Sequence, residues 1–533
     1  MILSLLSTAI ADAFASLGLE TPDTINLERP ANREHGDWST NVALATAKAA
    51  QKNPRELATE LVATLNESPP DLVSSIEIAG PGFINFRLHD AWLHEVLSEV
   101  ISEGVKGFAR SATGDGQQVN VEFVSSNPNK PLHAGHARGA CYGDSVARLL
   151  ERCGYEVVRE FYTNDRGVQM VLFAESLAAR KRGEDPPEDG YQGEYLIEWA
   201  NEMPDDADPL DWGRERAITS ISETLARVGI VHDVWFSERS MVDSGAIDLA
   251  LADLAARKAT FVKDGATWLR STDFGDDKDR VLIKSDGDFT YLAPDIAYHR
   301  DKFARSPKLI NVLGADHHGY VQRMKAAMQA LGHDPDELEI LITQLVDLQQ
   351  GGKPVRMAGR TGEMVLFDDV IDAVGPDAAR FTYLMQSVDT RQTIDLDLIA
   401  SKAMDNPVFY VQYANARIHS VVAKAAEAGH VRGALGETDL SLLTHELELD
   451  VLRSLSAFPE TVAYACSERS PHTVSNHLRE LAASFHSFYH ECYVLGDGVS
   501  AELTQARLQL LEATRIGLAV GFDLLGVSAP ESM

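Results

Sequence analysis

The chain has 533 residues, 44% hydrophobic and 24% charged, with a formal net charge of −32. Its size and mix are those of a soluble globular protein of about three or four domains, and its charge argues against a generic nucleic-acid binder, leaving room for a local basic groove on an acidic body. The four cysteines, Cys141, Cys153, Cys466 and Cys492, form no CxxC pair and no Cys/His cluster, which argues against a zinc site or a disulfide framework and for a reducing compartment.

The chain opens MILSLLSTAIADAFASLGLE, with no Lys or Arg before Arg29, unlike a secretory signal or a transit peptide. Leu6, Ile10, Phe14 and Leu17 recur at helical spacing, so the segment reads as an amphipathic helix of the folded protein. No uninterrupted apolar run reaches the ~18 residues of a membrane span, and a cytoplasmic protein is expected. Within the first ~110 residues, IEIAGPGFINFRL (Ile76 to Leu88) alternates like strands around a Gly80-Pro81-Gly82 turn, the mark of a small α/β domain. A break rich in Gly, Ser and Thr follows (Gly104 to Gly116).

From Gln118 the pattern becomes strand, turn, helix, strand. QVNVEFV is β-rich, a helix starts near Ala134 with Tyr142, Val146, Leu149, Leu150 and Cys153 on one face, and YEVVREFYT (Tyr155 to Thr163) is the next strand. That is a βαβ unit of a nucleotide-binding sheet. RVLIKS, KLINVLG and LEILIT, from Arg280, Lys308 and Leu338, read as further buried strands separated by helices. The acidic, Pro-rich GEDPPEDG and MPDDADP mark an insertion over about 171–280. After Asp405-Asn406-Pro407 long apolar-periodic helices dominate. The expected architecture is α/β: a small N-terminal α/β domain (1–110), a Rossmann-like parallel-sheet catalytic domain (111–400) and an all-α C-terminal bundle (401–533).

Four segments carry chemistry. Lys130-Pro131-Leu132-His133-Ala134-Gly135-His136 lies between a strand and a helix start, where unpaired N–H groups and the helix dipole welcome phosphate. Two histidines add donors, and Gly135 leaves room for a nucleotide. A capped helix with two surface histidines is the plain alternative; zinc is weaker, because helical zinc motifs space their histidines at i, i+4 and add a Glu. The second candidate joins Glu122, at a strand end where open parallel sheets bind ligands, to Tyr291 and Asp295, four apart and expected on one helical face. Structural carboxylate pairing is the alternative. The third is Gly314-Ala315-Asp316-His317-His318, a strand-to-helix turn at the same sheet edge. The fourth is the glycine-rich loop GGKPVRMAGRTGEMV (Gly351 to Val365).

VEFVSSNPNKPLHAGHARGA resembles the signature of class I aminoacyl-tRNA synthetases, and of arginyl-tRNA synthetases in particular. The resemblance extends over almost the whole chain: GDWSTNVALATAK and AGPGFINFRL in an extra N-terminal domain, YTNDRGVQM, SDGDFTYLAPDIAYHRDK, GADHHGYVQRMKAA, then NPVFYVQYANARI and LLGVSAPESM in an anticodon-binding helical domain. It implies an ATP-dependent attachment of L-arginine to its tRNA through an arginyl-adenylate, releasing AMP and pyrophosphate. His133, His136, Lys130, Arg356 and Arg360 would then be catalytic. Pro131, Leu132, Gly135, Gly314, Asp316, His317 and Met357 would meet ATP. Glu122 and Asp295 would hold the guanidinium, with Tyr291, Asn127 and Gln322 assisting. Tyr410, Tyr413, Arg417 and Asn41 would meet tRNA, with Asn32 and Arg33 as further elbow contacts. Mg2+ would arrive with ATP, without a dedicated protein site, and the family implies a monomer. One departure stands out. The family's loop often reads RMSKR, whereas here Ala358 and Gly359 replace the serine and the key lysine, and the resemblance offers Lys130 as a replacement cation. That departure and the acidic charge motivate one rival reading, a catalytically weak paralogue that binds tRNA or arginine; a second is an amino-acid ligase of synthetase fold acting on a small amine. Retention of Lys130 and both histidines opposes the first; the N-terminal domain and aromatic C-terminal helices oppose the second.

Overall fold

Period-two alternation between Val73 and Leu88 produces a hairpin, Val73–Ala79 against Phe83–Leu88, as expected. Gly80 (φ 49°) and Gly82 (φ 143°) supply the left-handed turn. Trp38–Thr40 and Leu27–Glu28 complete an antiparallel four-stranded sheet. The amphipathic first helix, Ile2–Ser16, buries Leu6, Ile10 and Phe14. The computed structural model describes residues 2–30, 32–355 and 365–533. Backbone packing sorts the chain into two units, 1–102 with 425–456 and 487–513, and 103–424 with 457–486 and 514–533. The first unit holds the sheet just described. In it Arg33 is ion-paired with Glu446 and Asp450, both at 2.8 Å.

The second unit is built on a five-stranded sheet of β1 (Gln118–Glu122), β2 (Glu156–Thr163), β3 (Val234–Ser237), β4 (Lys308–Gly314) and β5 (Leu338–Thr343), in the order β5-β4-β1-β2-β3. All four pairings are parallel. Chain order reverses beside β1, so the crevice past the carboxyl ends of β1 and β4 is the place where such sheets bind ligands. Helix α1 (Ala137–Arg152) makes the β1–β2 crossover, with Tyr142, Val146, Leu149 and Leu150 buried. Helices α2 (Leu292–Arg305) and α3 (Val321–Ala330) lead into β4 and β5.

Two strand expectations are corrected. Arg280–Ile283 is not part of the parallel sheet; it pairs antiparallel with Ala266–Leu269, which pairs with Thr260–Lys263. The two connections, of two and ten residues, are too short for a parallel crossover, and the half-exposed faces of these strands fit a small surface sheet. The second correction is β3, a strand of the main sheet inside the stretch read as insertion. At four residues on a sheet edge it carries little periodic signal.

The C-terminal part is helical as expected: Pro407–Glu427, Glu446–Ser467, Pro471–Glu491 and Ala501–Leu525. The second of these was not singled out from sequence; an interior Pro459 interrupts its pattern. Both units contain parts of each of these helices. All four cysteines are buried free thiols. Among the described residues no helix is long and apolar enough to cross a membrane.

Candidate active site

His133 caps the turn Ala134–His136 that opens α1, its Nδ1 accepting from the Gly135 N–H at 3.1 Å. A Cβ at Gly135 would stand 2.8 Å from His133 Cε1 and Nδ1, so any larger residue there would push the imidazole from its place. The His133 and His136 rings lie 3.9 Å apart. Burial pushes both pKa values down, that of His136 to about 3, and the neighbouring Lys130 ammonium pushes the same way. At neutral pH the pair is uncharged and works through N–H donors and lone pairs. His136 Nδ1 is buried with no partner among the described residues.

Lys130, also lowered by burial, lines a cavity of about 280 Å³ with Ser125, Asn127, His133, His136 and Gln169. Asn127 Nδ2 donates to Gln169 Oε1 at 2.5 Å, and buried Asn129 donates to the Tyr191 hydroxyl at 2.7 Å. Pro131 and Leu132 are buried, and the Leu132 carbonyl accepts from Phe367 N–H at 2.8 Å. Ala134 N–H donates to Val365 O at 2.9 Å, and His133 bridges Leu366. The chain leaving the glycine-rich loop is therefore stitched to the histidine turn. Arg356, Met357 and Arg360 themselves lie outside the described residues, as do Ala358 and Gly359.

A second constellation gathers around α2. Burial pushes the Asp295 carboxyl up to about 7; the Tyr320 hydroxyl hydrogen-bonds to it, and Glu238 and Glu122 add repulsion. Burial likewise raises Glu238, which Tyr162 hydrogen-bonds. Glu122 is buried and differs from both: burial pushes it up, but the Lys302 ammonium outweighs that and holds it below the usual range. Three acids and two phenols thus share one region, a setting that suits a cation with a planar donor fork. Sequence reasoning missed Glu238, Tyr162 and Tyr320. The two tyrosines lie within motifs quoted above, whereas Glu238 sits in VWFSERS, where only adjacency to the undetected β3 could have flagged it.

Tyr291, the cap of α2, has helical backbone angles, and its carbonyl accepts from the Asp295 N–H at 3.5 Å. The two residues differ in exposure: Tyr291 is 91% exposed, while Asp295 is partly buried. Gln322 donates to Gly275 O at 3.0 Å and lines a separate cleft of about 900 Å³ with Tyr142, Arg323, Arg469 and His472. Gly314 ends β4, and Asp316 and His317 beyond it are exposed, 3.7 Å apart. On the Pro407–Glu427 helix, Arg417 lies over the Tyr413 ring at 4.4 Å and donates to its hydroxyl at 2.5 Å. Tyr410 packs edge-on to His486 at 4.8 Å. Asn41 is exposed at the start of a short helix and makes no side-chain cap bond.

A parallel sheet with a histidine turn at its switch point and a loop tied to that turn define the class I aminoacyl-tRNA synthetase architecture. The family description "tRNA synthetases class I (R), catalytic domain" matches residues 96–188 and 206–396. "Arginyl tRNA synthetase N terminal domain" matches 4–88, and "DALR anticodon binding domain" matches 411–533. The arginine–tRNA ligase of Bacillus licheniformis is 44% identical over 552 residues, covering 99% of this chain and 98% of the relative. That of Syntrophotalea carbinolica is 46% identical, covering 96% and 95%. Among solved structures, the Thermus thermophilus arginyl-tRNA synthetase is 25% identical with a TM-score of 0.78, covering 100% of both chains. The Plasmodium falciparum arginyl-tRNA synthetase, 17% identical with a TM-score of 0.77 over 100% of this chain and 99% of that one, shares the fold. The chain belongs to the arginyl-tRNA synthetase family.

Proposed function

We infer that the chain attaches L-arginine to its cognate tRNA, using ATP, as an arginine–tRNA ligase. The observation that carries this reading at the site is the partly buried Lys130–His136 turn facing its cavity, with the acid and phenol group of Asp295, Glu238, Glu122, Tyr162 and Tyr320 at the same sheet edge. The arginine carboxylate attacks the α-phosphorus of ATP in line, and pyrophosphate leaves. Neutral His133 and His136 donate to the phosphoryl oxygens, and Lys130 supplies the cation that Gly359 does not. This is catalysis by positioning and electrostatics. A terminal ribose hydroxyl of tRNA then attacks the arginyl carbonyl, and AMP leaves. Mg2+ enters with the triphosphate.

Arg356 and Arg360 meet phosphates, and Pro131, Leu132, Gly135, Gly314, Asp316, His317 and Met357 surround ATP. Asp295 and Glu122 hold the guanidinium, with Asn127 at the α-amino end and Tyr291 and Gln322 joining on closure. The point-charge ammonium of lysine fits such a carboxylate fork poorly, which is the basis for rejecting it. Tyr410, Tyr413, Arg417 and Asn41 meet tRNA. The three-domain division, supported by the extents of the three family matches, completes the proposal together with a cytoplasmic setting and a monomeric state. Arginine-dependent ATP–pyrophosphate exchange, measured with and without cognate tRNA, tests the function. Exchange that appears with tRNA supports it; none in either condition sinks it.

A further inference from the structure

A buried chain of polar contacts runs behind the cluster of acids and phenols. Lys302, on α2, is wholly buried; its Nζ donates to Glu122 Oε2 at 2.8 Å and to Asn311 Oδ1 at 2.7 Å, and lies 5.1 Å from the Tyr298 ring centroid. Ser125 donates from Oγ to Glu122 Oε1 at 2.9 Å and accepts from the Tyr162 N–H at 3.1 Å. Val124 and Ser125 both take left-handed backbone conformations, φ 73° and 34°, rare for residues with a Cβ. Asn311 Nδ2 lies 2.7 Å from His299 Nε2, and His299 Nδ1 lies 2.8 Å from Asp295 O. Because the amide donates to Nε2, the ring proton sits on Nδ1 and is given to the Asp295 carbonyl.

A carboxylate has about four acceptor sites, two on each oxygen. Lys302 takes one on Oε2 and Ser125 one on Oε1, which leaves one on each oxygen, the pattern a guanidinium fork requires. We propose that Lys302 is a positioning residue for arginine recognition: together with Ser125 it fixes the charge and orientation of Glu122 without touching substrate. This rests on the reading of Glu122 as a guanidinium acceptor. Without Lys302, the groups facing Glu122 are His299, Tyr298 and Asp295 from α2, Tyr162 from β2, Tyr320 from the turn after β4, and Ser125. None of these is a fixed cation, so a buried Glu122 would hold its proton to higher pH.

The test is tRNA-supported ATP–pyrophosphate exchange by the full-length chain from pH 6.5 to 9, with KM for arginine and kcat measured separately. Lys302→Met should raise KM at least tenfold at pH 7 and change kcat less than threefold. Its KM should keep falling with pH at least one unit beyond the point where the parent levels off. The double variant Lys302→Met/Glu122→Gln should match Glu122→Gln alone, because the lysine acts only through that carboxylate; this comparison decides the matter if the single lysine variant does not fold. A double variant tenfold worse than Glu122→Gln overturns the proposal, as does a Lys302→Met profile identical to the parent's. If Glu122→Gln itself leaves KM unchanged, the guanidinium reading of Glu122 falls, and the proposal falls with it.

Discussion

His133 and His136 stack with ring centroids 3.9 Å apart and planes tilted by 39°. Two imidazolium ions at that distance would repel strongly, and burial already holds both pKa values down, that of His136 to about 3. The neutral form is therefore the working form. The kcat/KM for ATP should show no loss across pH 6 to 8 attributable to His136, because its deprotonation is complete below that window. His136→Ala should lower kcat roughly 100-fold, and His136→Lys should not restore it, since an added charge is not what the site lacks. A pH–rate series on the parent enzyme and both variants checks this; rescue by lysine would show that charge is the missing element.

Among the described residues, Lys130 is the positive charge lining that cavity. Lys130→Ala should slow arginine activation at least ~10-fold if its ammonium is worth about 1.4 kcal/mol in the transition state. Burial lowers its pKa from the ordinary 10.5. Since the charged form is the useful one, activity should decline on the alkaline side earlier than a solvated lysine would dictate. Single-turnover pyrophosphate release, followed as a function of pH, reads both effects. An unchanged rate in the alanine variant would place the compensating cation elsewhere.

The parts of this fold that were legible in sequence are those with long periodic signals. The β1–α1–β2 unit, the Ile76 to Leu88 alternation and three of the C-terminal helices were read from alternation or helical spacing. What escaped was set by tertiary pairing. Arg280–Ile283 has the composition of a buried strand, but its partner is the neighbouring hairpin rather than β4. Val234–Ser237 is too short to register, yet it completes the sheet and leads directly into Glu238. The histidine turn was legible because its function needs contiguous residues. The acid group was only half legible, since Glu122, Glu238 and Asp295 come from three separate elements. Lys302 was invisible: one lysine in a mixed helix looks solvated until β1 is placed against it.

Arg417 and Tyr413 form a stacked and hydrogen-bonded pair one helical turn apart. If the pair presents a preformed platform to an unpaired tRNA base, Tyr413→Ala should raise KM for tRNA roughly 10-fold, about the cost of one lost stacking contact. Tyr413→Phe should cost less, since it keeps the ring and loses only the hydroxyl acceptor. The KM for arginine and for ATP should not move in either variant. Aminoacylation kinetics at fixed ionic strength distinguish this from a general loss of helical packing, which would alter all three and lower Tm.

Asp295 should couple stability and recognition with opposite signs. Its carboxyl keeps a proton up to about pH 7 in the folded chain, against an ordinary value of 3.8, chiefly because burial disfavours the anion. Between these two values the folded state binds more protons than the unfolded one, so this group's contribution to stability falls as pH rises from about 4 to 7, and the penalty stays in full above 7. Asp295→Asn cannot ionise and should raise Tm by a few degrees at pH 8, with little change at pH 4 to 5. Arginine, by contrast, needs the anion. The parent's kcat/KM for arginine should therefore climb up to tenfold per pH unit below about 7 and level off above it, while Asp295→Asn should lose at least ~100-fold at every pH. Parallel unfolding and exchange measurements decide the point: a variant less stable at pH 8 than at pH 5, relative to the parent, would mean that the carboxylate is held ionised by a partner stronger than Tyr320 and Arg323.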